Sequence, residues 1–255
     1  MFLILDADQS EMPIVLDEIV LKAPNLIEMC IQIPNCNNSE VFLAQNPKIG
    51  EDGVLVQLQI LEIIQVSAIM SILSENSSWL NPICEKVHEL NVLKCPDVEA
   101  LGVHSTMSFS FLKKLLVSDC PQLQYLFTTS VAKKLVNLEE ITVLKCESLK
   151  EIVAKEGDEE EPKVKGEDKY ENEIIFMKLE KLMLGLLGKL ESFYTGSCTL
   201  NFPSLRNVVV IQCLNTKILR HCDKVPPKFR VVIDRIHCKG DKKALITQQF
   251  EEGAS

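Results

Sequence analysis

The stretch Phe109-Ser110-Phe111-Leu112-Lys113-Lys114-Leu115-Leu116-Val117-Ser118-Asp119-Cys120-Pro121-Gln122-Leu123-Gln124-Tyr125-Leu126 is one unit of a pattern that recurs along the chain. Counted from Leu112, apolar residues stand at offsets −3, 0, +3, +5, +8, +11 and +14. Placed on Leu138, the same offsets give Leu135, Leu138, Ile141, Val143, Cys146, Leu149 and Ile152. Placed on Leu179 they give Phe176, Leu179, Leu182, Leu184, Leu187, Leu190 and Phe193. Further copies start at Leu58, Val87 and Leu205, and a weaker one near Leu16. Over the six clear copies, 41 of the 42 positions are apolar, Thr216 being the exception, in a chain that is 46% apolar.

The two-residue step from +3 to +5 is the spacing of one face of a β-strand, whereas the three-residue steps that follow fit a turn and a looser return segment. A single unit cannot bury its own apolar edge, so units must stack. The pattern LxxLxLxxC is that of a leucine-rich repeat. The predicted fold is therefore α/β: a leucine-rich-repeat solenoid, a right-handed β-α superhelix with parallel strands on the concave face and irregular or short-helical convex segments. Strands are expected near Leu61 to Ile63, Leu90 to Val92, Leu115 to Val117, Ile141 to Val143, Leu182 to Leu184 and Val208 to Val210. Residues 1-255 read as one repeat domain of about six or seven units starting near 16, 58, 87, 112, 138, 179 and 205. Residues 225-252 read as a C-terminal cap.

The chain has 255 residues, 27 Lys plus Arg against 36 Asp plus Glu, and a formal net charge of −9, which argues against an extended phosphate-binding surface and so against nucleic acid as partner. The apolar run Val54 to Leu73 is broken by Gln57, Gln59, Glu62, Gln65, Ser67 and Ser71, so it makes a poor membrane span. Met1-Phe2-Leu3-Ile4-Leu5-Asp6 lacks the basic start of a secretory signal, and the ten cysteines are expected to be reduced thiols in a cytoplasmic protein. Cys95, Cys120, Cys146 and Cys213 share the +8 offset, where a small side chain can pack inward as the strand ends. No CxxC occurs, and His221-Cys222 with His237-Cys238 lacks paired metal ligands.

Thr129-Ser130 ahead of Val131-Ala132-Lys133-Lys134-Leu135 offers a capping hydroxyl and a short helix, while the other return segments read as irregular. Residues 156-173 carry nine acids and three lysines, the composition of a solvated, mobile insertion rather than of a calcium loop. The chain holds no GxxxxGK[ST], GxGxxG or GxSxG, and His88, His104, His221 and His237 share no repeat position. No catalytic, cofactor-binding or metal-binding residues are assigned, and the expected activity is binding rather than catalysis.

Strand alternation sends offsets +2, +4, +6 and +7 to the concave face. Leu93, Leu116, Leu144, Met183, Val209 and Ile211 are expected to stand exposed there, beside Lys94, Lys145, Glu62 and Gln212. A continuous exposed apolar stripe of this kind marks a protein partner.

The run from Cys120-Pro121 through Tyr125-Leu126-Phe127-Thr128-Thr129 to Asn137-Leu138-Glu139-Glu140, then Cys146-Glu147-Ser148-Leu149-Lys150-Glu151-Ile152-Val153, the acidic insert and Ile174-Ile175-Phe176, resembles the C-terminal repeats of plant intracellular disease-resistance receptors of the coiled-coil, nucleotide-binding, leucine-rich-repeat type. Phe202-Pro203-Ser204-Leu205 is similar to the opening of many repeats of that family, and Pro226-Pro227-Lys228-Phe229 through Gly240-Asp241 to Glu251 looks like its terminal strand and helix. The resemblance covers about residues 80 to 252. It implies a recognition region that senses a pathogen effector or a guarded host protein and helps restrain the receptor by contact with the receptor's own nucleotide-binding domain. That domain is not in this chain, so no nucleotide cofactor is carried over. A substrate-recruiting repeat domain of a ubiquitin ligase and a generic interaction scaffold are the other readings. Lengthening a loop costs only about 0.6 kcal/mol per doubling. Deleting Gly157 to Glu171 should therefore shift the melting midpoint by less than about 4 °C, as followed by circular dichroism.

Overall fold

At each of the six clear copies, residues +2 to +6 form a five-residue strand, and the alternation of branched aliphatics with polar residues along it is what favours the extended chain. The computed structural model describes residues 2–6, 27–32, 58–66, 84–102, 109–156, 173–213, 222–224 and 230–234. Its strands are β1 (Phe2–Asp6), β2 (Glu28–Gln32), β3 (Ile60–Ile64), β4 (Glu89–Leu93), β5 (Lys114–Ser118), β6 (Phe127–Thr128), β7 (Glu140–Leu144), β8 (Glu151–Ala154), β9 (Glu173–Ile175), β10 (Lys181–Gly185), β11 (Ser192–Tyr194), β12 (Thr199–Asn201), β13 (Asn207–Ile211), β14 (Cys222–Lys224) and β15 (Arg230–Asp234). Nine of them build one sheet in the order β1-β2-β3-β4-β5-β7-β10-β13-β15. Every pairing in that sheet is parallel and without a register shift, as in Leu90↔Leu115, Leu115↔Ile141, Ile141↔Leu182 and Leu182↔Val208. This is a leucine-rich-repeat solenoid.

The zero shift puts equal offsets into columns. All described template residues from −3 to +14 are buried except Cys213, which is partly exposed. Phe109, Phe176 and Phe202, the −3 residues of three repeats, lie at the base of the core; Phe176 and Phe202 stack at 5.3 Å, with Phe193 edge-on to both at 5.5 and 5.1 Å. A turn follows each −3 residue, closed by the offset 0 amide donating back to the −3 carbonyl, as from Leu112 to Phe109 (3.0 Å) and from Leu179 to Phe176 (3.3 Å).

The sheet reaches beyond the six clear repeats. β1 and β2 extend it at one end and β15 at the other, with Met29↔Leu61 and Val208↔Val231 in the same register as the repeats between. Leu16, the acidic residues 157–172 and the cap residues apart from 230–234 lie outside the described residues.

The convex side corrects the expectation of irregular return segments. Two parallel ladders, β6-β8-β11 and β9-β12-β14, run along it. The backbone of a return segment covers the core and must have its amides and carbonyls satisfied; neighbours one repeat away supply the partners. Among the described residues helix is confined to short pieces at 84–86 and Thr129–Ala132, and the cap of the latter is also corrected: Thr128 makes no side-chain cap. The Glu156 carboxylate instead accepts from the Ser130 amide (3.2 Å) and hydroxyl. Partial burial alone would raise its pKa, but the hydrogen bonds from Ser130 and Thr128 hold it below the ordinary range.

Leu115 and Leu182 are each 1% exposed in this shared core. Replacing either with Asp puts an unpaired charge in a dry column and should cost about 3–5 kcal/mol, read as a lowered urea midpoint; an unchanged midpoint would refute the assigned register.

Candidate functional site

The outward columns of the main sheet form the candidate binding face. Register places Leu116, Thr142, Met183 and Val209 side by side at +4, and Leu93, Ser118, Leu144, Gly185 and Ile211 at +6. The six apolar residues expected on this face are therefore brought together, five of them on the neighbouring strands β5, β7, β10 and β13. Their exposure is corrected: each is half-buried. The residues directly beside Leu116 and Leu144, at about 4.8 Å, are Asn91, Thr142, Ser118 and Gly185, so the apolar side chains follow one another diagonally from +4 to +6 and back, and only Met183 and Val209 are direct neighbours. At Gly185 an added Cβ would stand 2.8 Å from Leu144 Cδ2, so Leu144 leans over the glycine and fills the gap.

Lys94 and Lys145 do not lie on the pleat with the leucines. They belong to a row at +7, Gln65, Lys94, Asp119, Lys145, Leu186 and Gln212, in which every residue has a left-handed backbone with φ between 52° and 58°. Such a conformation is unfavourable for non-glycine residues by about 1 kcal/mol or more. It recurs because it turns each amide onto the +6 carbonyl of the next strand, as in Lys94 to Ser118 (2.8 Å), Lys145 to Gly185 (2.9 Å) and Leu186 to Ile211 (2.8 Å). The row is a rim. Lys145 also faces Asp119 at 3.6 Å, and the Ser118 hydroxyl donates to the same carboxylate at 2.7 Å.

On the opposite side, the +2 column reads Glu89, Lys114, Glu140 and Lys181 on four successive strands of the sheet. Lys114 meets Glu89 at 3.7 Å and Lys181 meets Glu140 at 3.4 Å, so this border neutralises its own charge. Offset +2 was expected on this face, but its residues were not named among the binding residues, although the alternation of charge is visible when equal offsets are read down the sequence. Towards β2 and β3 the face becomes polar and acidic. Asn91 Nδ2 donates to Glu62 Oε1 at 2.9 Å, and Gln32 Nε2 to Gln65 Oε1 at 3.3 Å. Burial, then the Glu62 and Glu28 carboxylates, push the Cys30 thiol above its ordinary pKa.

A second set of apolar side chains was not anticipated: Phe111, Val136 and Met177, 47–53% exposed, sit in the turns that precede β5, β7 and β10. They alternate with polar links between turns, Asn137 Nδ2 to the Ser110 carbonyl (2.6 Å) and Lys178 Nζ to Asn137 Oδ1 (2.7 Å).

The chemistry-bearing groups have structural settings. His88 Nδ1 is 3.0 Å from the Lys86 carbonyl and its ring lies 6.1 Å from that of Phe111; the other histidines are outside the described residues. Among the described residues no group of three or more His, Cys, Asp and Glu is placed to hold a metal ion. Cys30, Cys84, Cys95, Cys120, Cys146, Cys198 and Cys213 are unbridged, while Cys36, Cys222 and Cys238 fall outside the described side chains. The +8 thiols point inward and donate to the carbonyl two residues back, as Cys95 to Leu93 (3.4 Å) and Cys120 to Ser118 (3.5 Å). Hydrogen bonds with the Cys146 and Cys95 thiols, together with burial, raise the pKa of Cys120.

Residues 104–219 match the family model of plant disease resistance protein RPS2-like leucine-rich repeats. These residues are thus similar to the leucine-rich repeats of plant disease-resistance proteins. Curated proteins give no match. The matched stretch contains β5 to β13 and with them the apolar stripe from Leu116 to Ile211. Among the described residues no helix is long and apolar enough to cross a membrane.

Complete burial, with a smaller contribution from Glu85, pushes Cys84 up to about 12 from its ordinary 9.0. A thiol acid with a raised folded pKa leaves the folded state fully stable below pH 9, and that stability is lost as pH rises from 9 towards 12, where the unfolded chain is the better thiolate. Between those values the parent should lose up to about 1.4 kcal/mol per pH unit more than Cys84→Ala, measured by urea unfolding.

Proposed function

We propose that this chain is a non-catalytic protein-recognition region of an intracellular plant immune receptor, and that its concave face, through Leu116, Leu144, Met183, Val209 and Ile211 with Leu93 at the edge, takes a pathogen effector or a guarded host protein. One observation carries the reading. The half-buried apolar residues, at least one on each of the neighbouring strands β5, β7, β10 and β13, lie within the residues that match the repeats of disease-resistance proteins. A recognition role is the ordinary work of stacked repeats, which present one extended surface from many short strands.

In a complete receptor the same face would contribute to restraint by contacting the receptor's nucleotide-binding domain. The reading places the chain in the cytoplasm, assigns it no cofactor, and gives Lys94 and Lys145 the part of rim charges, which act more on encounter rate than on the lifetime of a complex.

The test is cross-linking of the tagged chain to its partner in leaf cells, followed by measured affinity for the purified partner. Met183→Asp and Leu144→Asp should each weaken binding at least tenfold while moving the melting midpoint by less than about 4 °C, because both side chains already touch water. Val136→Asp and Met177→Asp, on the turns, should leave affinity within twofold. The opposite pattern would transfer the function to the turn edge.

A further inference from the structure

We infer that the partner segment seated on the concave face is an amphipathic α-helix lying across the strands, its apolar face on β5 to β13 and its N-terminus over the acidic end at β2 and β3. The inference rests on the concave-face reading and specifies the chemistry of what fills it.

Three observations support it. The backbone groups of the central strands are committed to neighbours on both sides, so the face offers no backbone hydrogen bonds to an extended chain laid over it, only the scattered hydroxyls of Thr142 and Ser118. An extended segment there would bring its own amides and carbonyls onto apolar side chains without partners, whereas a helix satisfies them internally.

Spacing makes the same choice. The strands stand about 4.8 Å apart, so β5 to β13 span about 14 Å, against about 16 Å for three helical turns at 5.4 Å each. One apolar side chain per turn thus stays close to phase with one strand. In an extended segment the same-face residues recur every 6.6 Å or so, and phase is lost within two strands. Across the stripe, the distance from the +2 border to the +7 rim is five residues, about 16 Å, which admits a helix 10–12 Å wide with its side chains.

Charge sets the identity and direction of the helix. The pairs Lys114–Glu89 and Lys181–Glu140 on one side and Lys145–Asp119 on the other are already neutralised, so the occupant beside them needs no matching charge. At the β2–β3 end, Glu28 and Glu62 flank the buried Cys30 and have no ion pair among those described. The partial positive charge of a helix N-terminus, or a basic side chain in its first turn, complements them. From Glu62 to Val209, five strand spacings or about 24 Å, the occupant would run about four and a half turns, polar in the first two and apolar in the rest.

The probes are two display libraries of equal diversity, one randomising the outer face of a helical hairpin and the other a linear segment held extended by flanking strands. Both are selected on the purified full-length chain, and the binders obtained are then measured on Met183→Asp and Leu116→Asp, with circular dichroism confirming that these variants are folded. The expected result is that binders sensitive to Met183→Asp and Leu116→Asp come from the helical library, carry apolar residues at i, i+3 or i+4 and i+7, and weaken about three- to fivefold on Glu62→Lys. Binding constants should change less than threefold between 50 and 300 mM salt. If the Met183-sensitive binders are the extended ones, the concave face is a binding site but the helix inference is wrong. Binders indifferent to Met183 and Leu116, or none from either library, would overturn both the inference and the concave-face reading.

Discussion

In-register parallel pairing is the constraint on which the rest of the molecule depends. Because β3, β4, β5, β7, β10 and β13 join with no shift, a choice made at one inward offset is repeated down a column, and each inward column takes a single character. Columns at +3 and +5 can be apolar only if every repeat agrees, since one charged member would leave its neighbours on both sides facing it. The core is thus a stack of nearly identical layers, and its stability is a sum of contacts between adjacent layers.

The same pairing explains why lysine, aspartate, glutamine and leucine all accept a left-handed backbone at +7. Each turn satisfies one amide with the carbonyl of the next strand, so the strain of one residue is offset by a bond to the following repeat. Ending every strand at the same offset also brings the +8 side chain inward, where the small, weakly donating thiols of Cys95, Cys120 and Cys146 fit beneath the sheet and bond to a carbonyl. Cysteines that could be read as redox or metal chemistry are, in this setting, layers of the core.

The open face inherits this column logic with a different outcome. Side chains that need not agree are free to vary, and they divide the face into an apolar region from β5 to β13 and a polar, acidic one at β2 and β3. Its borders are charge pairs between neighbouring strands. Such exposed pairs contribute little to stability, roughly 0–1 kcal/mol, so their consequence lies in what they leave available to a partner.

The sequence alone determined the period, the strand positions, the buried columns and the membership of the apolar stripe, because a stack of in-register repeats converts linear spacing directly into neighbourhood. It also carried the resemblance that the match over residues 104–219 supports. Tertiary structure alone decided what depends on contacts between repeats rather than within one: the parallel ladders on the convex side, the Glu156 cap on Thr129–Ala132, and the left-handed rim that takes Lys94 and Lys145 off the pleat. β1 and β2 escaped the template for a related reason. Their own spacing signal is weak, and what makes Glu28–Gln32 a strand of this sheet is the edge of β3 beside it, which supplies hydrogen-bond partners that no local reading of residues 28–32 contains.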